Sequence, residues 1–259
     1  MLPLIHRFKG EAKVCVLGDF HVGNVAFDEP LLDKMLDAAI KDGYKLILMG
    51  DFCESINVTD RRFDWDTVDR ERINPQEQYD YVREKLEPFK GQILGVLTGN
   101  HDDKLRKDNG GRDWVERELC RPLKAPYLGY TNMLRVKVDD FHKDFMLWHG
   151  RGKGYLSGSK INRLQRLAQG FNTDVYCMGH THRLWSGSDA VIEIEQQGRT
   201  VIARKRPRFF ILTGGFLQGY KTVTPTDYIA YEAFGPLRLG CTFIRIAHGK
   251  IGIQQVGED

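Results

Sequence analysis

The chain has 259 residues, 41% hydrophobic and 28% charged, a balance that excludes a disordered polypeptide and suffices for a substantial core in one large domain. The formal net charge of +3 is too small to imply a polyanion partner by itself. The scattered cysteines (Cys15, Cys53, Cys120, Cys177, Cys241) make no disulfide framework, and no apolar stretch approaches the ~18 residues of a membrane span. Residues 1–7 are too short and interrupted for a signal peptide, so no membrane association and a cytoplasmic location are expected.

Residues 13–17 form an apolar run that reads as a buried strand ending in Gly18-Asp19-Phe20-His21. Asp28-Glu29-Pro30 then opens a helix whose buried face repeats Leu31, Leu32, Met35, Leu36, Ala39 and Ile40. Residues 45–49 make a second strand that ends in Gly50-Asp51, so a βαβ unit with parallel neighbours is expected. Residues 55–74 are charged, carry Phe63 and Trp65, and read as an exposed excursion near the strand ends. A helix is expected over 75–89, then a third strand over 92–97 ending in Gly99-Asn100-His101-Asp102. A short helix follows around 114–119, and the alternation over 133–138 predicts an exposed edge strand.

Residues 144–148 are again strand-like and run into His149-Gly150. A helix over 159–168 leads to a strand over 174–178 that ends in Gly179-His180-Thr181-His182. Beyond residue 190 the pattern becomes short strands: a hairpin of 191–195 with 200–203, then 208–213, 228–233, 241–247 and 250–256. No repeat, low-complexity tract or linker divides the chain, so a single domain over 1–259 is expected.

Five of the predicted strands thus end in glycine- and ligand-rich turns, which hold five of the eight histidines. One Gly-Asp after a strand is only a turn, and one histidine is more often a hydrogen-bonded core residue. Together, imidazoles, carboxylates and an amide converging on one sheet edge suit borderline divalent metals such as Mn, Fe or Zn. Carboxylates can also bridge two ions. These residues predict a two-metal site.

The order Asp-x-His, Gly-Asp, Gly-Asn-His-Asp, His, Gly-His-x-His over residues 18–182 resembles the calcineurin-like metallophosphoesterase superfamily. The resemblance implies an α/β fold, a four-layer αββα sandwich of two mixed β-sheets with a dinuclear metal site at strand ends and the strands of 191–256 completing the second sheet. It implies Asp19, His21 and His182 as ligands of one metal, Asn100, His149 and His180 as ligands of the other, and Asp51 as the bridge. It also implies His101 as the histidine beside the phosphate and Asp102 as the carboxylate that orients it. The cofactors implied are two divalent ions, Mn²⁺ foremost, with Fe, Zn, Ni, Co or Mg as alternatives. A bridging water ionised to hydroxide would attack phosphorus in line.

Gly50-Asp51 continues as Phe52-Cys53-Glu54, unlike the Asp-Arg-Gly of the superfamily's protein phosphatases. His101 stands where the lipid-A-pathway pyrophosphatases usually have arginine. Between Lys143 and Gly170, six cations (Lys143, Arg151, Lys153, Lys160, Arg163, Arg166) face one anion, and residues 204–208 add a second basic cluster. With Tyr155, Trp185 and Tyr220 nearby, they suggest a nucleic-acid or nucleotide substrate, with Arg151, Lys153 and Tyr155 as candidate contacts. The leading expectation is a phosphodiesterase or nuclease. A small-molecule nucleotide phosphatase or pyrophosphatase is the alternative, and a non-catalytic scaffold of the same fold a third, which the complete ligand set disfavours.

Overall fold

Strand β2 (Glu11–Leu17) is apolar on both faces, and its alternation sets the layers. Ala12, Val14 and Val16 point into a core shared with Val136, Phe145, Leu147, Val175 and Ile211 of a facing sheet. Cys15 and Leu17 point the other way, into a core with Leu32, Met35, Tyr79 and Leu86. A strand buried on both sides demands a sheet beneath it and helices above it, and the chain supplies both. The computed structural model describes residues 3–61, 63–108, 110–152, 156–198, 200–220 and 235–258.

The sheet carrying β2 is ordered β12 (Lys250–Gly257), β11 (Gly240–Ala247), β2, β3 (Lys45–Leu48), β4 (Ile93–Leu97) and β5 (Tyr127–Gly129). The second runs β1 (Leu4–Phe8), β6 (Thr131–Val138), β7 (Phe141–Trp148), β8 (Val175–Met178), β10 (Thr200–Thr213) and β9 (Leu184–Gln197). Both mix parallel and antiparallel pairs. Helices α1 (Glu29–Lys41) and α2 (Pro75–Leu86) cover the first sheet. Beyond α3 (Asn100–Asp108), helix α4 (Ser157–Gly170) sets Leu164 against Met146, Tyr176 and Phe210 of the second. The result is the expected four-layer αββα sandwich.

Helix α1 starts where Asp28 Oδ1 accepts the amide of Leu31 at 3.1 Å, with Pro30 in its first turn. Helix α2 starts at a capping box: Asn74 accepts from Gln76 N at 2.9 Å, and Glu77 reaches back to Asn74 N at 3.2 Å. The parallel pairing of β2 with β3 is as expected.

Three expectations change. The strand read as an exposed edge, β6, is interior because β1 pairs along its outer side from Leu4↔Leu134 to Phe8↔Val138. Its alternation reflects one buried face and one half-buried face. The predicted hairpin and the strand after it merge into one continuous β9–β10 ribbon, in register from Leu184↔Thr213 to Gln197↔Thr200. The strands after residue 190 are divided between the sheets, β9 and β10 in one, β11 and β12 in the other. The expected strand at 228–233 lies outside the described residues.

Candidate metal centre

Parallel strands end together, which sets their following residues side by side. Leu17 lies beside Leu48, and Leu48 beside Val96, so Asp19, Asp51 and Asn100 emerge from adjacent strand ends. In the other sheet Trp148 lies beside Met178, which sets His149 next to His180. The turns are sharp. Asp19 (φ 53°), His21 (φ 56°), Asp51 (φ 52°), His180 (φ 62°) and His182 (φ 52°) all take the left-handed conformation. That costs an L-residue about 1–2 kcal/mol, and such strain persists only where the surrounding structure over-determines it. Gly99 is needed because a Cβ there would overlap the Asp51 carboxylate.

The donor atoms fall into two groups. Asp19, His21 and His182 bring one ligand atom each within 4.8 Å of one another, and so do Asp51, His149 and His180. Asn100 joins the second, its Oδ1 lying 3.3 Å from His149 Nε2. Asp51 Oδ2 sits between the groups, 3.2 Å from His149 Nε2 and 3.9 Å from His21 Nε2. His21, Asp51 and His101 also bring one ligand atom each within 4.8 Å of one another.

These donors fit cations. The Nδ1–H of His149 donates to Met49 O at 2.7 Å, so the neutral ring presents its Nε2 lone pair to the oxygens of Asp51 and Asn100. Likewise His21 Nδ1–H donates to Glu54 Oε2 at 3.1 Å, leaving Nε2 only 3.1 Å from Nε2 of His182. Lone pairs facing lone pairs in a buried site call for positive charge between them, and nitrogen with carboxylate oxygen is a borderline-metal donor set.

Protons compete with cations for the same lone pairs. Burial pulls His21 down, but Glu54, Asp51 and Asp19 outweigh it and raise the ring to about 9. Burial likewise opposes His149, and Asp51 raises it to about 9. His180 goes the other way, lowered to about 4 by burial and by His149. Burial lifts the Asp19 carboxyl to about 7. For Asp51 burial also works upward, but His149, His101 and His21 hold it well below the usual carboxylate range.

Asp102 does not orient His101. Its Oδ2 accepts the amides of Asp51 at 2.7 Å and Gly99 at 2.9 Å, and its Oδ1 accepts the Tyr79 hydroxyl at 2.8 Å. Successive helical residues point about 100° apart, so at the start of α3 Asp102 turns under the strand ends while His101 faces the rim. Glu54 takes the expected role: His101 Nδ1–H donates to Glu54 O at 3.0 Å, and Oε1 lies 3.4 Å away. Burial would raise Glu54, yet His101 and His21 hold it down at about 2. The amide of His101 donates to Asp51 Oδ1 at 2.8 Å, so the N-terminus of α3 fixes the Asp51 carboxylate. Glu54 and Tyr79 were not foreseen. Glu54 carried a signal in its place just past Gly50-Asp51, whereas Tyr79 looked like any apolar residue on the face of α2.

Arg151 is exposed two residues beyond His149, and its carbonyl accepts from Arg163. Lys153 and Tyr155 lie outside the described residues. The basic cluster of 204–208 is largely neutralised within the ribbon. Arg204 pairs with Glu195 at 3.3 Å, Arg206 with Glu193 at 2.7 Å, and Arg208 with Asp189 at 2.7 Å. Among the described residues, no helix is long and apolar enough to cross a membrane.

A family model described as calcineurin-like phosphoesterase matches residues 12–184. Among solved structures, a single mutant of Vps29 from Entamoeba histolytica is 15% identical, over 95% of this chain and 99% of its own, with a TM-score of 0.46. A predicted phosphoesterase from Streptococcus pneumoniae TIGR4 is 11% identical, over 95% of this chain and 90% of its own, with a TM-score of 0.41. No curated protein matches the chain.

Proposed function

The chain belongs to the calcineurin-like phosphoesterase family, and on that footing we propose that it is a dinuclear metal-dependent phosphodiesterase that cleaves DNA or RNA. One observation carries the reading: the groups Asp19-His21-His182 and Asn100-His149-His180 meet at Asp51. Two divalent cations held there, Mn²⁺ first among the candidates, would supply Lewis-acid charge against phosphoryl oxygens and acidify a coordinated water.

The chain's own residues do the rest. Asp19, Asp51 and His149 are buried, and the two carboxylates act more strongly there than they would in water. Glu54 and the Met49 carbonyl fix the tautomers of His21 and His149, so that each offers Nε2 inward. The His101 side chain is 19% exposed, against 3% for His21, as suits a group that meets substrate. With its Nδ1–H tied to Glu54, Nε2 is the nitrogen free to hold a proton for the leaving oxygen.

The pairing of Arg204, Arg206 and Arg208 with carboxylates favours one second reading. It leaves less cationic track for a polymer and suits a compact nucleotide. The test compares wild type with His101→Ala in Mn²⁺ on bis-p-nitrophenyl phosphate, p-nitrophenyl phosphate and single-stranded DNA. Wild type should cleave the diester and the DNA, and the variant should lose about 10²–10⁴-fold. Intact DNA with turnover of the monoester would replace the nuclease by a nucleotide phosphatase. No cleavage with any divalent metal would leave a scaffold.

A further inference from the structure

A cleft of about 470 Å³ opens along the segment that follows His21, lined in part by Asn24, Val25, Phe27, Trp65, Asp66 and Arg70, and its size is that of a small-molecule site. One wall is the loop that follows the candidate ligand His21; the other is the charged excursion of residues 55–74. The two walls are tied by backbone pairing: Val25 N donates to Thr67 O at 3.0 Å, and Asp69 N to Gly23 O at 2.9 Å. One lining residue reaches the hydrogen-bond partner of a candidate ligand. Asn24 lies three residues past His21, and its Nδ2 is 3.5 Å from Glu54 Oε2, the oxygen that receives His21 Nδ1–H.

The lining is chemically uneven. Trp65 is 54% exposed, unusual for so large an apolar ring, and Phe63 braces it edge-on at 4.9 Å and 87°. Arg72 is already spent, on Asp69 at 2.7 Å and Glu29 at 3.4 Å. Among the described residues, Asp66 and Arg70 have no ion pair, so the cleft keeps one free carboxylate and one free guanidinium beside an aromatic ring. A second phosphate would find Glu29, Asp66 and Asp69 repelling it. A flat heterocycle with N–H donors on one edge and acceptors on another would find a partner for each feature.

We infer that this cleft is the subsite for the nucleobase of a substrate whose phosphate lies at the metal centre, with Trp65 as the stacking platform and Asp66 and Arg70 addressing the edges of the base. The inference rests on the phosphoesterase reading above and adds base recognition to it. It makes the enzyme selective for nucleotidyl over aliphatic phosphate esters, because base–aromatic stacking contributes roughly 5–150-fold per base.

The test is calorimetric titration of the Mn²⁺-loaded protein with guanosine 5′-monophosphate and with ribose 5-phosphate, for wild type, Trp65→Ala and Arg70→Ala. Wild type should bind the nucleotide at least about 10-fold tighter than the sugar phosphate. That ratio should fall toward one in Trp65→Ala and fall in part in Arg70→Ala. Equal binding of the two ligands by wild type, or an unchanged ratio in Trp65→Ala, would overturn the subsite. Cleavage of a dinucleotide and its abasic counterpart is measured in parallel. If wild type cleaves neither, the phosphodiesterase reading fails while the binding ratio still judges the cleft. Equal kcat/KM on both would sink the subsite and leave the hydrolase standing.

Discussion

Glu54 serves two histidines at once, accepting the Nδ1–H of His21 with its carboxylate and that of His101 with its carbonyl. Glu54→Gln keeps an acceptor but removes the charge that would make His21 a strong donor to metal on the proposed reading. Metal affinity should fall about 10–100-fold, read by competition with a chromophoric chelator; undiminished affinity would mean that the hydrogen bond alone orients the ring. Asp102 acts on the backbone. Asp102→Ala strands the amides of Asp51 and Gly99 and the Tyr79 hydroxyl inside the fold. At about 1–3 kcal/mol for each stranded group, thermal unfolding should show a large loss of stability together with weakened metal binding. A variant that kept its stability and lost only turnover would return Asp102 to the role of orienting His101.

The elements divide into those that bring ligands and those that hold them up. Helix α3 belongs to the first kind on the proposed reading, since its first turn carries Asn100 and His101 and sets an amide on Asp51. Helix α2 is a support: Tyr79 and Val82 pack against the first sheet, the Tyr79 hydroxyl reaches toward the site through Asp102, and Gln78 accepts the amide of Ser55 beside Glu54. Asn74→Ala, which breaks the capping box of α2, should therefore cost about 1 kcal/mol of stability and leave metal affinity unchanged. A loss of metal affinity beyond the stability effect would show that the start of α2 is coupled to the excursion before it and through it to the cleft.

Across the whole molecule, the ligand groups come from both sheets, so metal loading joins the two halves of the sandwich. Cations would compete with protons on His21 and His149, whose pKa values the neighbouring carboxylates raise to about 9. Metal affinity should therefore weaken as pH falls from 9 toward 6, and loading should release protons. Calorimetry in buffers of different ionisation heat reads that release; a pH-independent affinity would contradict it. Loading should also raise the unfolding temperature, with about 2.7 kcal/mol of added stability at a metal concentration 100 times Kd.

How much of this could be read beforehand follows from the range of each interaction. Strand ends, the two ordinary helix starts and the ligand motifs are local: apolar runs, Asp28 and Pro30 at one helix start, and glycines beside aspartate and histidine state them within a few residues. The linear sequence by itself therefore determined which residues gather at the strand ends and, through their chemistry, that cations belong among them. Distant parts of the chain had to meet before the rest was settled. β1 covers β6 across some 130 positions of chain (Leu4↔Leu134). Glu54 replaces Asp102 beside His101, the arginines of β10 find the carboxylates of β9, and the cleft at Trp65 closes only when residues 67–69 pair with 23–25. Each of these depends on where a side chain or strand edge points once it is packed, and that direction belongs to the folded molecule rather than to spacing along the chain.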